Sequence, residues 1–178
     1  MGKPNLVYSP TTAMKSIEGP EATVGERRMT QDGAGQLPAP EGGAYRLDVT
    51  LERTAGDDGS EARIEFGGDE GTFATVGYDF ASESAFISRD ADAAAAGKPE
   101  LHPGYRASRR TVSPPREGKV ELTIFVDYCS VEVFINGGEK TMTSLVFPTA
   151  GAPSVKAVTA GGSLTLKSFS YRRLASTR

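Results

Sequence analysis

The chain has 178 residues, and its 20 basic and 23 acidic side chains give a formal net charge of −3. This acidic balance argues against a nucleic-acid partner, and the sequence has no apolar run near the ~20 residues that a membrane-spanning helix needs. One cysteine excludes an internal disulfide, while 21 glycines and 11 prolines are typical of a β-protein with many turns.

Residues 1–43 have weak periodicity and are predicted to be a lead-in segment that lies over the domain and adds one or two edge strands. Within it, residues Ala13–Glu18 follow Pro10-Thr11-Thr12 and could form one helical turn. Met1–Leu6 lacks the apolar stretch of a signal peptide. Residues 44–178 are predicted to be the folded domain.

Four strands are predicted in the first half of this domain. Tyr45–Glu52 alternates apolar and polar residues without a fault, as expected for a strand with one face on a core. Ala62–Phe66, Thr72–Phe80 and Ala85–Ser88 follow, separated by glycine-rich turns. Arg89–Thr111 breaks the rhythm with an alanine run and two prolines, and it is predicted to be a long loop.

The second half contains the most regular pattern in the chain. Leu122–Val126 and Val131–Ile135 are short runs rich in Val, Ile and Phe, and each has alternate apolar residues on one face. Asn136-Gly137 is a strong hairpin signal because both residues tolerate positive φ. These features predict three consecutive antiparallel strands, the third covering Lys140–Phe147.

Two further strands are predicted near Val155–Val158 and Leu164–Tyr171. In the last one, the apolar residues change phase, and a β-bulge near Lys167-Ser168 would account for the slip. The total is nine or ten short strands with no long amphipathic helix. The predicted fold class is therefore all-β, a two-sheet antiparallel β-sandwich of the concanavalin A-like or jelly-roll type.

Few residues offer catalytic or metal-binding chemistry. His102, the only histidine, lies in the predicted loop and fits a solvated side chain, while Cys129 fits a small, partly buried thiol. No metal ligand set and no cofactor motif is present in the sequence. Asp127 and Glu132 are the carboxylates most embedded in apolar sequence, so an acid/base pair stays open. The simpler interpretation is that Asp127 accepts from turn amides while Glu132 projects from the opposite strand face.

Sugar binding usually requires exposed aromatic faces near polar groups. The chain has no tryptophan. Tyr78, Tyr105 and Tyr128 are therefore the candidate carbohydrate-binding residues, although each also fits packing in a core or at an edge.

Several segments together resemble one enzyme family. Leu122–Gly138 resembles the signature of the C-terminal β-sandwich of glycoside hydrolase family 32, the invertases, levanases and inulinases. Ser144–Pro148 is similar to the strand that follows in the family, and Gly77-Tyr78-Asp79 to its Gly-Tyr-Asp. Leu164–Tyr171 resembles the closing strand, and Pro10–Gly19 the linker that leaves the catalytic domain. The resemblance covers residues 44–174 well and the first 43 loosely.

The catalytic motifs of that family are missing from this sequence. Its five-bladed propeller carries a Trp-Met-Asn-Asp-Pro-Asn-Gly nucleophile motif, an Arg-Asp-Pro motif and a Glu-Cys acid/base motif. Here Arg89-Asp90 is followed by Ala91, and Tyr128-Cys129 replaces the commoner Arg and Ser of the sandwich signature. No catalytic residue can be carried over, so the chain is predicted to be inactive alone.

The resemblance implies a non-catalytic accessory sandwich with a catalytic β-propeller as its partner in cis. Phe125 and Phe134, out of phase with the main apolar faces of their strands, are the candidates for packing on that partner. One alternative is an autonomous carbohydrate-binding module for fructans or sucrose-type saccharides. Another is a homodimer formed through an exposed sheet edge. A secreted location is expected if the protein follows most fructan-degrading relatives.

Overall fold

A computed structural model of the chain describes residues 6–30, 35–38, 43–57, 60–68, 71–89, 108–146 and 153–175. Within these residues there is one 3-10 helix, Thr12–Ile17, and there are thirteen strands. The strands are β1 (Glu18–Val24), β2 (Arg27–Met29), β3 (Gly35–Leu37), β4 (Tyr45–Arg53), β5 (Glu61–Gly68), β6 (Gly71–Asp79), β7 (Ser84–Ser88), β8 (Arg109–Val112), β9 (Lys119–Val126), β10 (Ser130–Ile135), β11 (Lys140–Leu145), β12 (Ser154–Ala160) and β13 (Leu164–Leu174).

The strands form two sheets in which the paired neighbours are all antiparallel. Sheet A has the order β1-β13-β4-β9-β10-β11, with the short β2 also pairing with β13. Sheet B has the order β3-β12-β5-β6-β7-β8. Neither order closes on itself, so the two sheets form a sandwich rather than a barrel. The predicted all-β, two-sheet antiparallel sandwich is confirmed.

The central hairpin forms where alternation and Asn-Gly predicted it. Strand β10 pairs with β9 from Val131 opposite Val126 to Ile135 opposite Leu122, and its other edge pairs with β11. Asn136 has a φ of 50°, and the two glycines that follow are also at positive φ. The turn therefore uses the backbone conformation that Asn and Gly adopt at low cost.

The core lies between the sheets and is built by alternation. Along β4, Leu47, Val49 and Leu51 point inward and are at most 2% exposed, while the residues between them face outward. On sheet B, Ile64 and Phe66 of β5 point into the same core, and both are at most 1% exposed. Each strand therefore buries one face and leaves the other at the molecular surface.

Strand β13 contains the predicted irregularity. Its register with β4 shifts between Leu166 and Ser168, which marks a β-bulge. Leu164, Leu166 and Phe169 all stay buried because the extra residue restores the inward phase. The β-bulge prediction is confirmed.

Three features differ from the sequence-based expectation. The end of the segment predicted to be a loop, residues 109–111, belongs to the edge strand β8 of sheet B, while residues 90–107 lie outside the described residues. The strand expected to reach Phe147 ends at Leu145, and Phe147 itself is not among the described residues. Three strands rather than one or two come from residues 1–43, because β1 and β2 pair with β13 and β3 pairs with β12.

No helix among the described residues is long and apolar enough to cross a membrane.

Candidate functional site beneath the N-terminal strap

Residues 6–17, here called the strap, run across the outer face of sheet A. At one end the amide of Tyr8 donates to the carbonyl of Gly138, at 2.9 Å, in the turn after β10. At the other end the carbonyl of Ile17 accepts from the amide of Ala175 at 2.7 Å, just beyond β13. The strap is thus anchored at both ends, and it spans the sheet between them.

The second half of the strap is the 3-10 helix Thr12–Ile17. Thr11 begins it, since its side chain accepts from the Ala13 amide at 3.4 Å and its carbonyl from the Met14 amide at 3.0 Å. The Ser16 hydroxyl donates back to the Ala13 carbonyl at 2.7 Å. These local bonds satisfy backbone groups that a short helix leaves without partners.

A cleft of about 380 Å³ lies between the strap and the sheet. Its floor is the pair Phe125 and Phe134, whose ring centroids are 5.9 Å apart with planes at 79°, an edge-to-face contact. The two rings belong to the outward phase of β9 and β10, as their sequence positions predicted. The lining residues are Ser9, Pro10, Thr11, Met14, Ala44, Phe125, Val126, Asp127, Ser130, Glu132, Phe134 and Leu174.

Beside the floor, the outer face of β4 and β13 carries a network of charges. The Arg46 guanidinium lies 5.7 Å from the Phe125 ring centroid and donates to Glu18 at 2.8 Å and to Asp48 at 2.9 Å. Arg172 joins the same network through Asp48 at 3.1 Å. Partial burial works to lower the pKa of Arg46, but the hydrogen bonds to Asp48 and Glu18 outweigh it and raise that pKa.

The two embedded carboxylates lie on the rim of the cleft. Asp127 is exposed and accepts from the Tyr128 amide at 2.7 Å, so it caps its own turn. Glu132 is exposed on the outward face of β10 and has no side-chain partner among the described residues. The simpler interpretation of both residues is confirmed. An open cleft with a carboxylate, a hydroxyl and an aromatic floor can hold a polar ligand or a short peptide segment.

The three candidate tyrosines fall in different places. Tyr78 is a core residue rather than a sugar-binding platform, because it is fully buried and its hydroxyl donates to the Ser113 carbonyl at 2.7 Å. Burial raises the pKa of Tyr78, with the charges of Glu83 and Asp79 adding to the effect. Tyr105 lies outside the described residues.

Tyr128 is the exposed member of the set, with 74% of its surface accessible. It lies in the turn between β9 and β10, and an ideal Cβ on Gly43 would lie 3.9 Å from its hydroxyl and 4.0 Å from Arg173 Nε. Tyr128 therefore presents a free ring face at the end of sheet A, next to the cleft and a guanidinium.

Two other residues were considered for catalytic or metal-binding chemistry, Cys129 and His102. Cys129 is exposed rather than partly buried, because the turn between β9 and β10 points its side chain away from the core. His102 lies outside the described residues. Across the residues described, no group of three His, Cys, Asp or Glu side chains could hold a metal ion.

Sequence reasoning predicted that residues 1–43 lie over the domain, but it did not identify the outer face of sheet A as the surface beneath the strap. The only local signal was Pro10 followed by Thr11, which marks the start of a helix, and a start signal does not reveal what the helix packs on. It also missed a second depression, a polar groove on the outer face of sheet B that includes Arg63, Glu65 and Arg110. Arg63 and Glu65 lie on β5 and Arg110 lies on β8, so the groove forms only through the pairing of distant strands.

Comparison with known proteins identifies similar sequences. The family model described as glycosyl hydrolases family 32 C terminal matches residues 13–173. A levanase of Bacillus subtilis is 26% identical over 170 residues, which cover 95% of this chain and 24% of the levanase. An extracellular exo-inulinase of Aspergillus niger is 27% identical over 160 residues, covering 90% of this chain and 29% of that enzyme.

A comparison with solved structures also finds an inulinase and a β-fructofuranosidase. The exo-inulinase of Aspergillus awamori superposes with a TM-score of 0.77 at 26% identity, over 99% of this chain and 34% of the inulinase. A β-fructofuranosidase of Schwanniomyces occidentalis has a TM-score of 0.69 at 16% identity, which supports the fold alone. The chain thus spans about a quarter to a third of the length of the relatives that it matches.

Proposed function

This chain belongs to glycosyl hydrolase family 32 as its C-terminal domain, and from that premise we propose that it is a non-catalytic accessory module of a fructan- or sucrose-acting enzyme. In this role it stabilises a catalytic domain in cis by packing against it. The levanase and inulinase relatives supply the substrate class, since they act on fructans as their names state. The missing propeller motifs support a role without catalysis.

The strap is the observation that carries this proposal. Leu6, Val7 and Tyr8 are consecutive, and 69%, 55% and 52% of their surfaces are exposed. Tyr8 is nevertheless held by its backbone bond to Gly138. Adjacent apolar side chains on an anchored segment are typical of a surface that another protein domain covers.

The cleft beneath the strap supplies the rest of the contact surface. Pro10 and Met14 of the strap face Phe125 and Phe134 of the sheet across it, so apolar groups line both walls. A side chain or turn of a neighbouring domain that entered the cleft would bury this surface and lock the strap in place. Phe125 and Phe134 are therefore proposed as packing residues that act together with the strap.

The test begins with the purified chain and its natural coding sequence. We expect the 178-residue chain to release no fructose from sucrose, levan or inulin, and we expect the natural reading frame to encode a family 32 catalytic domain. Produced separately and mixed with the chain, that catalytic domain should gain thermal stability. Fructose release by the chain alone, or a reading frame without a catalytic domain, would overturn the proposal.

Variants locate the contact. Leu6→Asp combined with Tyr8→Asp should remove the gain in stability, because charges would face an apolar surface. Val112→Asp is the control, since the 63% exposure of Val112 lies between those of Tyr8 and Leu6, but Val112 lies on sheet B. Loss of the gain in the control variant, or its survival in the strap variant, contradicts a contact through the strap.

Saccharide binding by the module itself is a second candidate function. The specific observation that favours it is the polar groove on sheet B, which lies on the opposite face of the sandwich from the strap.

A further inference from the structure

The outer face of sheet B carries a depression of its own. In the described part of the chain, the strap spans the outer face of sheet A, whereas on sheet B a groove of about 550 Å³ is lined by residues of the strands and their ends. The groove crosses β5, β6, β7 and β8, whose neighbours are paired in register. Its lining residues are Glu61, Arg63, Glu65, Thr72, Thr75, Phe86, Ser88, Arg89, Ser108 and Arg110.

An aromatic ring forms the middle of the groove. Phe86 on β7 stands opposite Gly77 on β6, and a Cβ built on Gly77 would lie 2.2 Å from Phe86 Cζ. Because Gly77 has no side chain, the Phe86 ring can occupy the space above it on the sheet. Arg110 covers the other side, with its Cζ 5.0 Å from the ring centroid. The ring is only 6% exposed, so recognition in this groove depends on hydrogen bonds rather than on stacking.

One end of the groove is held rigid by its own bonds. Arg110 donates to Asp79 at 3.0 Å, to the Ser82 hydroxyl at 3.0 Å and to the Ser84 hydroxyl at 2.8 Å. Such a network fixes the guanidinium before any ligand arrives, which lowers the entropic cost of binding. The far end differs, because Glu65 and Thr75 there have no side-chain partner among the described residues, and the Ser88 hydroxyl accepts one bond from the Ser108 hydroxyl at 3.2 Å.

Groups at that end have unused hydrogen-bonding capacity. Glu65 stands opposite Thr75, and Thr75 stands opposite Ser88, so a carboxylate and two hydroxyls form a row across three strands. Among the described residues, neither the Glu65 carboxylate nor the Thr75 hydroxyl has a hydrogen-bond partner. Beside this row, Arg63, which also lines the groove, uses its Nε to donate to Glu61 at 2.6 Å, and its terminal nitrogens have no partner among the described residues.

Charges of both signs line the described part of the groove. Arg63 pairs with Glu61 at 2.6 Å, and Arg110 pairs with Asp79 at 3.0 Å. Glu65 adds a second carboxylate to the lining. Arginines that are already paired with carboxylates do not select strongly for an anion such as a sugar phosphate. The groove provides closely spaced donors and acceptors, which suit a neutral ligand that offers several hydroxyl groups at once.

From these observations we propose that the sheet B groove is a binding site for a neutral oligosaccharide, with Glu65 and Arg63 as its principal contacts. This assignment deepens the second candidate function by naming the site. Only the choice of fructans as the first sugars to test rests on the proposed function. Its outcome is independent of the packing proposal, because binding is measured on the chain without any catalytic domain.

The experiment is a titration of the purified chain with inulin-type and levan-type fructo-oligosaccharides, and with cello- and malto-oligosaccharides for comparison. Binding is followed by calorimetry and by amide chemical shifts. We expect at least one neutral series to bind with millimolar or tighter affinity and to shift amides of β5, β6 and β7. The absence of binding by all the series at millimolar concentration overturns the proposal.

Two substitutions and a control locate the sugar. Glu65→Ala and Arg63→Met should each weaken binding about tenfold, as expected for the loss of one charged hydrogen-bonding group. The control is Glu121→Ala, because Glu121 is also an exposed, outward-facing glutamate whose side chain has no partner in the described residues, but it lies on β9 of sheet A. Binding that the control abolishes, or that neither β5 variant weakens, overturns the proposal. Should a β5 variant fail to fold, the amide shifts of the unsubstituted chain still decide where the sugar lies.

Discussion

Asn136 and Glu121 are joined by two reciprocal bonds. The Asn136 amide donates to the Glu121 carbonyl at 2.8 Å, while the Glu121 amide donates to the Asn136 side-chain oxygen at 3.1 Å. The Asn136 side-chain nitrogen donates further to the Pro114 carbonyl at 3.1 Å and to the Ser113 hydroxyl at 3.3 Å. One buried side chain therefore ties the turn after β10 to the segment that precedes β9.

Asn136→Ala should lower the free energy of unfolding by about 3 kcal/mol, because it leaves buried polar groups unpaired and places a Cβ-bearing residue without a polar side chain at positive φ. Denaturation in urea measures the change. Asn136→Gly separates the two effects, since it keeps the backbone conformation and loses only the bonds, and it should cost less than alanine. An alanine variant as stable as the natural chain would contradict the assigned role.

Gly138→Ala should detach the strap. A Cβ at Gly138 would lie 1.6 Å from the Tyr8 carbonyl oxygen, so the strap must move away or the turn must change. Gly137→Ala is the matched control, because Gly137 is also at positive φ but nothing lies within 4 Å of its added Cβ. Hydrogen exchange at Tyr8 and Met14 should rise about tenfold or more in the first variant and stay unchanged in the second. Equal exchange in both variants would exclude a specific contact at Gly138.

Alkaline pH should destabilise the sandwich through two buried tyrosines. Burial raises the pKa of Tyr45 and of Tyr78 above the usual value of 10.0. Both hydroxyls thus keep their protons in the folded chain at a pH where the unfolded chain releases them. Their contribution is complete below pH 10 and falls as the pH rises further, by about 1.4 kcal/mol per pH unit for each group.

Unfolding measured from pH 8 to 11 tests this dependence. Tyr78→Phe should be about 1 kcal/mol less stable at neutral pH, since it leaves the Ser113 carbonyl without its donor, and it should lose stability less steeply above pH 10. Tyr128→Phe is the comparison, because that ring is exposed. An identical alkaline slope in Tyr78→Phe and the natural chain would show that Tyr78 ionises equally in both states.

Acidic pH should weaken the hydrogen bonds between Asp57 and Ser163, which join two turns. The backbone amide of Ser163, at 2.8 Å, and then its hydroxyl, at 2.9 Å, lower the pKa of Asp57. A carboxyl with a lowered pKa contributes stability at neutral pH, and this contribution is lost as the pH falls through the folded-state value. Asp57→Asn should reduce the stability at pH 7 and flatten its dependence below pH 4, about the usual carboxyl value.

Melting temperatures between pH 2 and 7 provide the measurement. Glu132→Gln is the control, since Glu132 is exposed and its side chain has no partner among the described residues. A profile of Asp57→Asn that parallels the natural chain would remove Asp57 from the acid response.

The local sequence pattern predicted those strands in which every second residue is buried. Val131–Ile135 alternates strictly and ends at Asn136-Gly137, so both its existence and its turn followed from sequence. Arg109–Val112 did not, because this edge strand has no buried face and carries no alternation that would distinguish it from a loop. The adjacency of β4 and β9 was also beyond local pattern, since it depends on contacts between distant parts of the chain.

The same distinction between local pattern and contacts of distant residues applies to the candidate site. Phe125 and Phe134 were found because they break the phase of their strands, and phase is a local property. The strap that covers them was not located, because its contacts with Gly138 and Ala175 are separated from it by more than a hundred residues. Tyr78 is in phase with buried Val76, and that phase, rather than its aromatic character, indicated its true location.

The strap makes the molecule two-sided. Sheet A is spanned by the chain's own segment, while the central groove of sheet B opens in the opposite direction, with the full thickness of the sandwich between them. If the strap side contacts a catalytic domain and the groove binds a saccharide, the two contacts occupy different surfaces, and neither has to be released for the other to form.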